Sequence, residues 1–314
     1  MSMEMRGRRG RVKVTLRNDD ARFSDLPNGS YSVRTRGAEL RVSLGYNTSS
    51  GDREAGGLEF RIDGWGYTSE GGKGMLEIYA SDGWAQIEGW RARRQHRWAA
   101  ASLTVGQILW FVLGRAGLKF ASLGSSTTAT NLKPEFTIHA GEDGLRVIER
   151  LMAMLPDSLW VVGESVYIIE TEAADSSDYS YGGEHVISRA RFVEAGPEVN
   201  RAQVFGPAVF EEDVDWGEVE KWFDRVGQVF DVNMSTAALA AQRATDTLRQ
   251  AELETARGEL VSPPNCGQAV GDVIDVTDSH LVMSSEKFRV LGVEYKFERG
   301  RRAKYEQRLL LGSV

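Results

Sequence analysis

The hydrophobic period of this chain changes twice, and that double change limits its folds more than any single motif. Val12, Val14 and Leu16 alternate with Lys13, Thr15 and Arg17, the period of two expected of a strand with one buried face. The alternation returns at Leu40/Val42/Leu44, Leu58/Phe60/Ile62 and Leu76/Ile78/Ala80, with glycine-rich turns between the runs. Near residue 100 the step becomes three and four: Val105, Ile108, Leu109, Val112, Leu113 and Ala116 fall on one face of a helix. Thr104 and Gln107 read as a capping box, and Gly117 as the C-terminal stop. A second helix is expected from about Glu142 to Leu155, ended by Pro156-Asp157, then a hairpin of 159–162 and 166–169. Period two resumes in the last third, at 200–206, 273–276, 288–297 and 305–311.

One further helix is expected near Thr236–Glu254, with Ala237, Ala241, Ala244, Leu248 and Ala251 inward and Arg243, Asp246, Arg249 and Glu252 on the wet face. The predicted class is β-rich α+β. Two small β-barrel domains flank a compact α+β module of two helices and a hairpin. The expected boundaries are 8–95 for the first barrel, 99–185 for the module, and 186–210 with 255–314 for the second barrel. Residues 211–254 form an acidic segment and helix inserted in or beside that second barrel. An internal echo supports two β-units: Phe60–Tyr67 and Phe288–Tyr295 align without gaps as F-R-[I/V]-x-G-x-x-Y. The alternation predicts Phe, Ile/Val and Gly on one face and Arg on the other, with the glycine marking a bend.

Little in the chain points to chemistry. A single cysteine, Cys266, excludes an intrachain disulfide and a cysteine-only zinc site. His96, His139, His185 and His280 are too few and too scattered for a histidine-rich centre. No catalytic, cofactor or metal site is expected. Gly66–Gly74 fails the phosphate-loop pattern because Gly74 follows Lys73, where Ser or Thr is needed; a hairpin turn accounts for it. Asp278-Ser279-His280 has the residue types of a triad but not its separation onto different elements. The run Glu211–Asp224 lacks calcium-loop spacing and reads as a solvated acidic loop, with Trp216 and Trp222 as partner-facing residues.

Basic residues gather at 6–13, at Arg91, Arg93, Arg94 and Arg97 between Trp90 and Trp98, and at 299–304. With 38 Lys and Arg against 45 Asp and Glu, a net charge of −7, these read as subunit contacts or turns rather than a nucleic-acid surface. The longest apolar run, Ile108–Leu113, falls far short of the ~20 residues of a membrane helix. No apolar stretch follows the N-terminal arginines, so no signal peptide is expected.

The order of these features resembles the tail-hub (baseplate hub) proteins of tailed bacteriophages and related injection machines. Val12–Phe23 is similar to that family's opening strand, Asn/Asp turn and Phe; 58–65 and Met75–Asp82 resemble its next two strands. Asn200–Gly206, Gly271–Val276, Phe288–Val293 and Tyr305–Leu311 resemble its second β-domain. The resemblance implies a non-enzymatic virion protein of the tail tip, made in the host cytoplasm. It implies two related barrels per chain and a homotrimer whose pseudo-six-fold ring adapts a six-fold tail tube to a three-fold tip. DNA would pass through the ring only in transit. The implied neighbours are a distal tail or tail-tube ring, the tape-measure protein, and tip or fibre proteins. The chain ends at Val314 soon after the second β-unit, so receptor-binding or lytic work is expected of another protein. Two other readings are a distal-tail or adhesin-type protein binding host surface glycans, and a cellular β-rich carbohydrate-binding module or enzyme.

Overall fold

The computed structural model describes residues 2–6, 9–21, 23, 37–122, 126–169, 171–172, 174–300 and 303–314. The chain opens with β1 (Ser2–Arg6) and β2 (Arg9–Arg17), then β3 (Glu39–Val42), β4 (Gly45–Thr48), β5 (Gly51–Glu54), β6 (Leu58–Glu70) and β7 (Lys73–Ser81). The middle carries α1 (Gly83–Gly89), β8 (His96–Trp98), α2 (Val105–Ala116), β9 (Lys119–Ser122), α3 (Thr127–Asn131), β10 (Phe136–Ile138) and α4 (Gly144–Met152). It ends with the hairpin β11 (Ser158–Val162) and β12 (Ser165–Ile169). Next come β13 (Tyr179–Tyr181), β14 (Arg189–Phe192), β15 (Arg201–Phe205), β16 (Phe210–Val214), α5 (Trp216–Trp222), β17 (Val226–Phe230) and α6 (Ala237–Leu253). The closing strands are β18 (Ala256–Ser262), β19 (Val273–Asp278), β20 (Met283–Glu298) and β21 (Lys304–Gly312).

The two ends of the chain meet in one sheet, ordered β14-β18-β21-β20-β1-β2-β7-β6-β3, with β19 beside β20 and β13 beside β19. The joint is β1. One of its edges pairs with β2 and the other with β20, placing Ser2 opposite Lys13 and Lys296. This strand lies ahead of the expected start at residue 8. It was not legible because a five-residue strand among arginines has no alternation long enough to count.

The echo at 60–67 and 288–295 occupies equivalent places in the two halves. Phe60 faces Leu40 of β3, as Phe288 faces Ile274 of β19. Both long strands carry a bulge at the same step: register with the hairpin partner shifts between Ile62 and Gly64, and between Val290 and Gly292. Both hairpins then run to a Glu facing a Lys, Glu70 with Lys73 and Glu298 with Lys304. The first closes through Gly71-Gly72, both at positive φ (57° and 74°), the two-residue turn whose twist matches the strands.

The motif residues do matching work. Arg61 Nη1 donates to the Gly37 carbonyl at 3.1 Å, and Arg289 Nη1 to the Gly271 carbonyl at 3.0 Å. Each arginine also reaches an acid on a connecting segment, Arg61 with Glu164 and Arg289 with Asp175 at 2.6 Å. The tyrosine hydroxyls both donate to backbone carbonyls: Tyr67 to that of Phe23, Tyr295 to those of Asn265 and Gln268 at 3.1 and 3.0 Å. One expectation is corrected. The bulge inserts an extra residue, so the Phe face continues at Trp65 and Tyr67, or Val293 and Tyr295, rather than at the glycine.

Between the halves, the α+β module packs its own core from α1, α2, α4 and the β11–β12 hairpin, including Ile87, Ile108, Leu109, Val112, Leu113 and Leu151. The capping box at Thr104 and Gln107 forms, and Gly117 ends α2 in the left-handed region at φ 88°. Asp143 caps α4 one residue inside the expected start.

A third, smaller unit replaces the expected acidic loop. β16 and β17 flank β15, and α6 packs on one face of that sheet through Ala202, Val204, Met234, Ala240 and Ala244. Arg201–Phe205 therefore pairs outside the sheet to which residues 186–210 had been joined. The face of α6 is also corrected: Ala237 and Ala241 are exposed, while Arg243 and Asp246 are buried. An alanine-rich helix has a weak apolar stripe, so the sheet it meets decides its orientation.

Candidate assembly interface

Three surfaces and one crevice stand out, and none has the arrangement of a catalytic centre. Among the described residues no group of three His, Cys, Asp or Glu is placed to hold a metal ion. No helix is long and apolar enough to cross a membrane. Asp278 Oδ1 accepts from the His280 amide at 2.8 Å, a turn between β19 and β20 rather than a triad.

The first surface is the basic loop after α1. Arg91, Arg93, Arg94 and Arg97 are exposed, and Arg97 pairs with Glu135 at 2.7 Å. Arg91 Nη1 returns to the carbonyls of Glu88 and Trp90, closing the helix end. Trp90 and Trp98 are half-buried against the module's core, where Trp98 meets Phe111 edge-on with ring centres 5.3 Å apart. They serve packing more than display. Burial, with Arg94 and Arg115 nearby, holds the His96 imidazole below its ordinary pKa. Of the third basic group, Arg301 and Arg302 lie outside the described residues.

The second surface is the outer face of the β15–β17 sheet. Phe205 lies opposite both Phe210 and Phe230, with ring centres 4.9 Å away in each case. Phe210 is 50% and Phe230 74% exposed. Beside this row, Gln203 bridges Glu212 and Gln228 at 2.9 and 3.0 Å. Arg201 pairs with Asp224 and Glu212 at 2.9 and 3.1 Å, and its guanidinium lies over Trp216. Hydrogen bonds from Gln203 and Arg201 hold the Glu212 carboxyl below its usual range. Glu212, Asp213, Glu218 and Asp224 of this run are thus held by local partners, and Asp215 caps α5.

Trp216 is exposed, whereas Trp222 packs on Gly196, where any Cβ would meet its ring. Phe223, next to it, is 84% exposed at φ 61°, a conformation that is strained for a bulky residue. Fully buried Asn200 fixes it there by donating to its carbonyl at 2.7 Å. Phe223 lies in the stretch that the sequence marks as ordered or partner-facing, while the phenylalanines at 205, 210 and 230 were missed as a surface row. Their one signal was the Gly206-Pro207 turn between Phe205 and Phe210.

The third surface is the sheet edge at β14, which pairs with β18 on one side and, among the described residues, with no strand on the other. The crevice, of about 640 Å³, lies where the module, α6 and β20 meet, lined by Trp84, Met152, Trp160, Gln250 and Arg289 among others. It is largely apolar, and its arginine already serves the Asp175 contact.

No family model matches the chain, and no curated protein matches it by sequence. Solved structures do match. A tail protein from Neisseria meningitidis MC58 aligns with TM-score 0.70 and 11% identity, over 99% of this chain and 90% of that one. The prophage MuSo2 43 kDa tail protein from Shewanella oneidensis aligns with TM-score 0.62 and 11% identity, over 99% and 92%. The E. coli c3393 protein aligns with TM-score 0.60 and 12% identity, over 100% of this chain and 72% of that one. That protein is described as a type VI secretion component with structural similarity to T4 bacteriophage tail proteins gp27 and gp5. The chain therefore has the fold of phage tail and baseplate-like proteins, as the order of its sequence features implied.

Proposed function

We propose that the chain is a structural subunit of a phage tail tip or a related injection machine, and that three copies form a hub ring around the channel. The observation that carries this reading is the doubled β-framework. Two strand sets with the same order, register, bulge and arginine contact lie in one sheet, so three chains supply six near-equivalent positions. A closed ring satisfies every such edge, whereas an open array leaves two unpaired. The fold shared with tail proteins across nearly the whole chain supports the same reading.

In this reading each β-unit completes a barrel-like position of the ring. The exposed Phe205/Phe210/Phe230 row and Trp216 face a neighbouring tail component, such as a tail-tube or distal-tail ring on one side or a tip protein on the other. The Arg91–Arg94 loop lies at a contact or outer face, because a strongly basic lumen would retain DNA. The chain itself performs no catalysis and needs no cofactor.

The test is mass in solution by light scattering, joined to negative-stain images. The expected result is a trimer that images as a ring with a central hole. A protein that stays monomeric at the highest attainable concentration overturns the proposal, and reproducible glycan binding would favour the adhesin reading.

A further inference from the structure

Charge is divided unevenly between two surfaces of this chain. Residues 89–134 carry seven Lys and Arg and no Asp or Glu. The acids beside the 91–97 loop are already engaged: Glu88 with Arg9 at 3.2 Å, Glu135 with Arg97, and Glu142 with Arg150 at 2.5 Å. Asp143 caps α4. Arg93, Arg94 and Arg115 are exposed and have no ion pair among the described residues. Arg94 and Arg115 both lie beside His96. Arg115 sits over the Phe111 ring at 5.2 Å, and His96 meets the same ring edge-on at 4.9 Å. Trp110, one residue earlier on α2, is 66% exposed. Arginine and tryptophan are the residues that most often anchor protein contacts.

The opposite imbalance lies on the small unit. Residues 198–231 hold nine acids against three bases. Arg201 serves Glu212 and Asp224, Lys221 serves Glu218, and Arg225 donates to the carbonyls of Gly196 and Pro197. Glu211 and Asp213, two residues apart and so on one face of β16, are left without a base. Asp213 accepts from the Thr245 hydroxyl at 2.7 Å and the Val214 amide at 2.9 Å. Thr245 joins it to the exposed side of α6, where Ala241 and Ala238 lie one and two turns earlier. Carboxylates thus border a flat platform of small side chains.

Resting on the ring reading above, we propose that this β16–α6 flank receives the Arg93/Arg94/Arg115 face of a second copy of this chain. The arginines meet Glu211 and Asp213, and the Trp110 indole lies on Ala238 and Ala241. A second copy is the occupant because the chain itself presents the complementary charge, one face of each sign per subunit. The contact is head-to-tail, so each face is used once around a closed ring. Opposed patches of this kind also steer the copies together and reject the wrong orientation. The outer face of the β15–β17 sheet takes no part and stays open to a neighbouring tail component.

The experiment reads trimer mass by light scattering across a concentration series. Arg93→Glu with Arg94→Glu is expected to weaken the trimer at least about tenfold, because like charges then oppose each other. The melting temperature of the subunit should not move, since both side chains are exposed. Glu211→Arg with Asp213→Arg is expected to weaken the trimer by a similar factor. The quadruple variant, with both faces reversed, is expected to recover the trimer, which unrelated surface effects would not do. If the quadruple variant does not fold, Arg94→Glu and Glu211→Arg repeat the cycle with one substitution on each side. A trimer indifferent to either reversal, or a folded doubly reversed chain that stays monomeric, overturns this contact and leaves the ring reading standing. A wild-type protein monomeric throughout overturns both. An Arg93/Arg94 variant that keeps the trimer but loses binding to phosphatidylglycerol vesicles or duplex DNA also overturns the contact, and gives the face to an anionic ligand instead.

Discussion

The two β-units share a framework and differ in what covers it. At matching positions of the motif strand, Val293 and Tyr295 are each 1% exposed, while Trp65 and Tyr67 are 44% and 40% exposed. In the second unit, residues 263–272 fold beneath the strand and tie it down through a buried polar network. Gln307 Nε2 donates to the Tyr181 hydroxyl at 2.6 Å, Tyr181 donates to Gln268 Oε1 at 2.8 Å, and Gln307 Oε1 accepts from the Asn265 amide at 2.8 Å. The first unit has Leu76 where the second has Gln307, each opposite the motif tyrosine. Backbone pairing and the arginine contact thus set the repeat, and residues 263–272 plug the second unit.

The arginines give the sharpest way to break this comparison. The Arg289 side chain is 5% exposed and that of Arg61 42%, and Arg289 also donates to the Glu172 carbonyl at 3.1 Å. Arg289→Ala is expected to cost about 2–3 kcal/mol in urea unfolding, since it takes a buried guanidinium from three partly buried acceptors, and Arg61→Ala about 1 kcal/mol or less. Equal losses would show that the two contacts do equivalent work despite their burial.

Acidic groups at the two units provide the next test. Burial pushes the Asp82 carboxyl up to about 7, and that of Asp272 up to about 6. A carboxyl raised on folding binds protons more tightly in the native state, so its contribution to stability declines as pH rises from the unfolded value towards the folded one. For Asp82 that window runs from about 4 to about 7, and the decline is on the order of 1–3 kcal/mol. Asp82 also caps α1 through the Trp84 amide at 3.0 Å, a task that asparagine performs as well. Asp82→Asn should therefore keep the helix and flatten the pH profile of stability, and Asp272→Asn should flatten it only below about pH 6. An unchanged profile in both would remove burial as the cause.

Smaller effects follow at the tyrosines and turns. Tyr295→Phe leaves two backbone carbonyls without their donor inside the plug and is expected to cost about 1–2 kcal/mol; Tyr67→Phe should cost under about 0.5 kcal/mol. Gly71→Asn in the two-residue turn should stabilise the first hairpin by a few tenths of a kcal/mol, because asparagine tolerates the required φ and loses less freedom on folding. All three are read from thermal or urea midpoints.

Sequence periodicity made α2 and its caps readable because local side chains satisfy its ends. The echo was readable because the same bulge and the same arginine contact recur in both units, so the residues that make them repeat at one spacing. What stayed hidden depended on partners far along the chain. β16 reads as an acidic run, yet its Glu212 and Asp213 are held by Gln203 and by Thr245 at 2.9 and 2.7 Å. Arg243 and Asp246 look like an exposed pair on α6 and are buried by the sheet it meets. Of the contact residues named from sequence, Trp216 and the arginines lie on the surface, while Trp90, Trp98 and Trp222 are half-buried. Tryptophan in a basic or acidic run signals burial as readily as display.

The joint made by β1 also has a consequence in time. The α+β module is built from neighbours in sequence and can form soon after its residues leave the ribosome. The large sheet cannot, because Ser2 must find Lys296 and Met5 must find Val293. Until the last strands exist, the edge of β2 that β1 covers is bordered by a strand with only one partner, and the sheet's two halves remain separate. Folding of this chain is therefore expected to run in two phases: a fast one that builds helices, and a slow one, sensitive to residues 2–6, that brings the two ends of the polypeptide together.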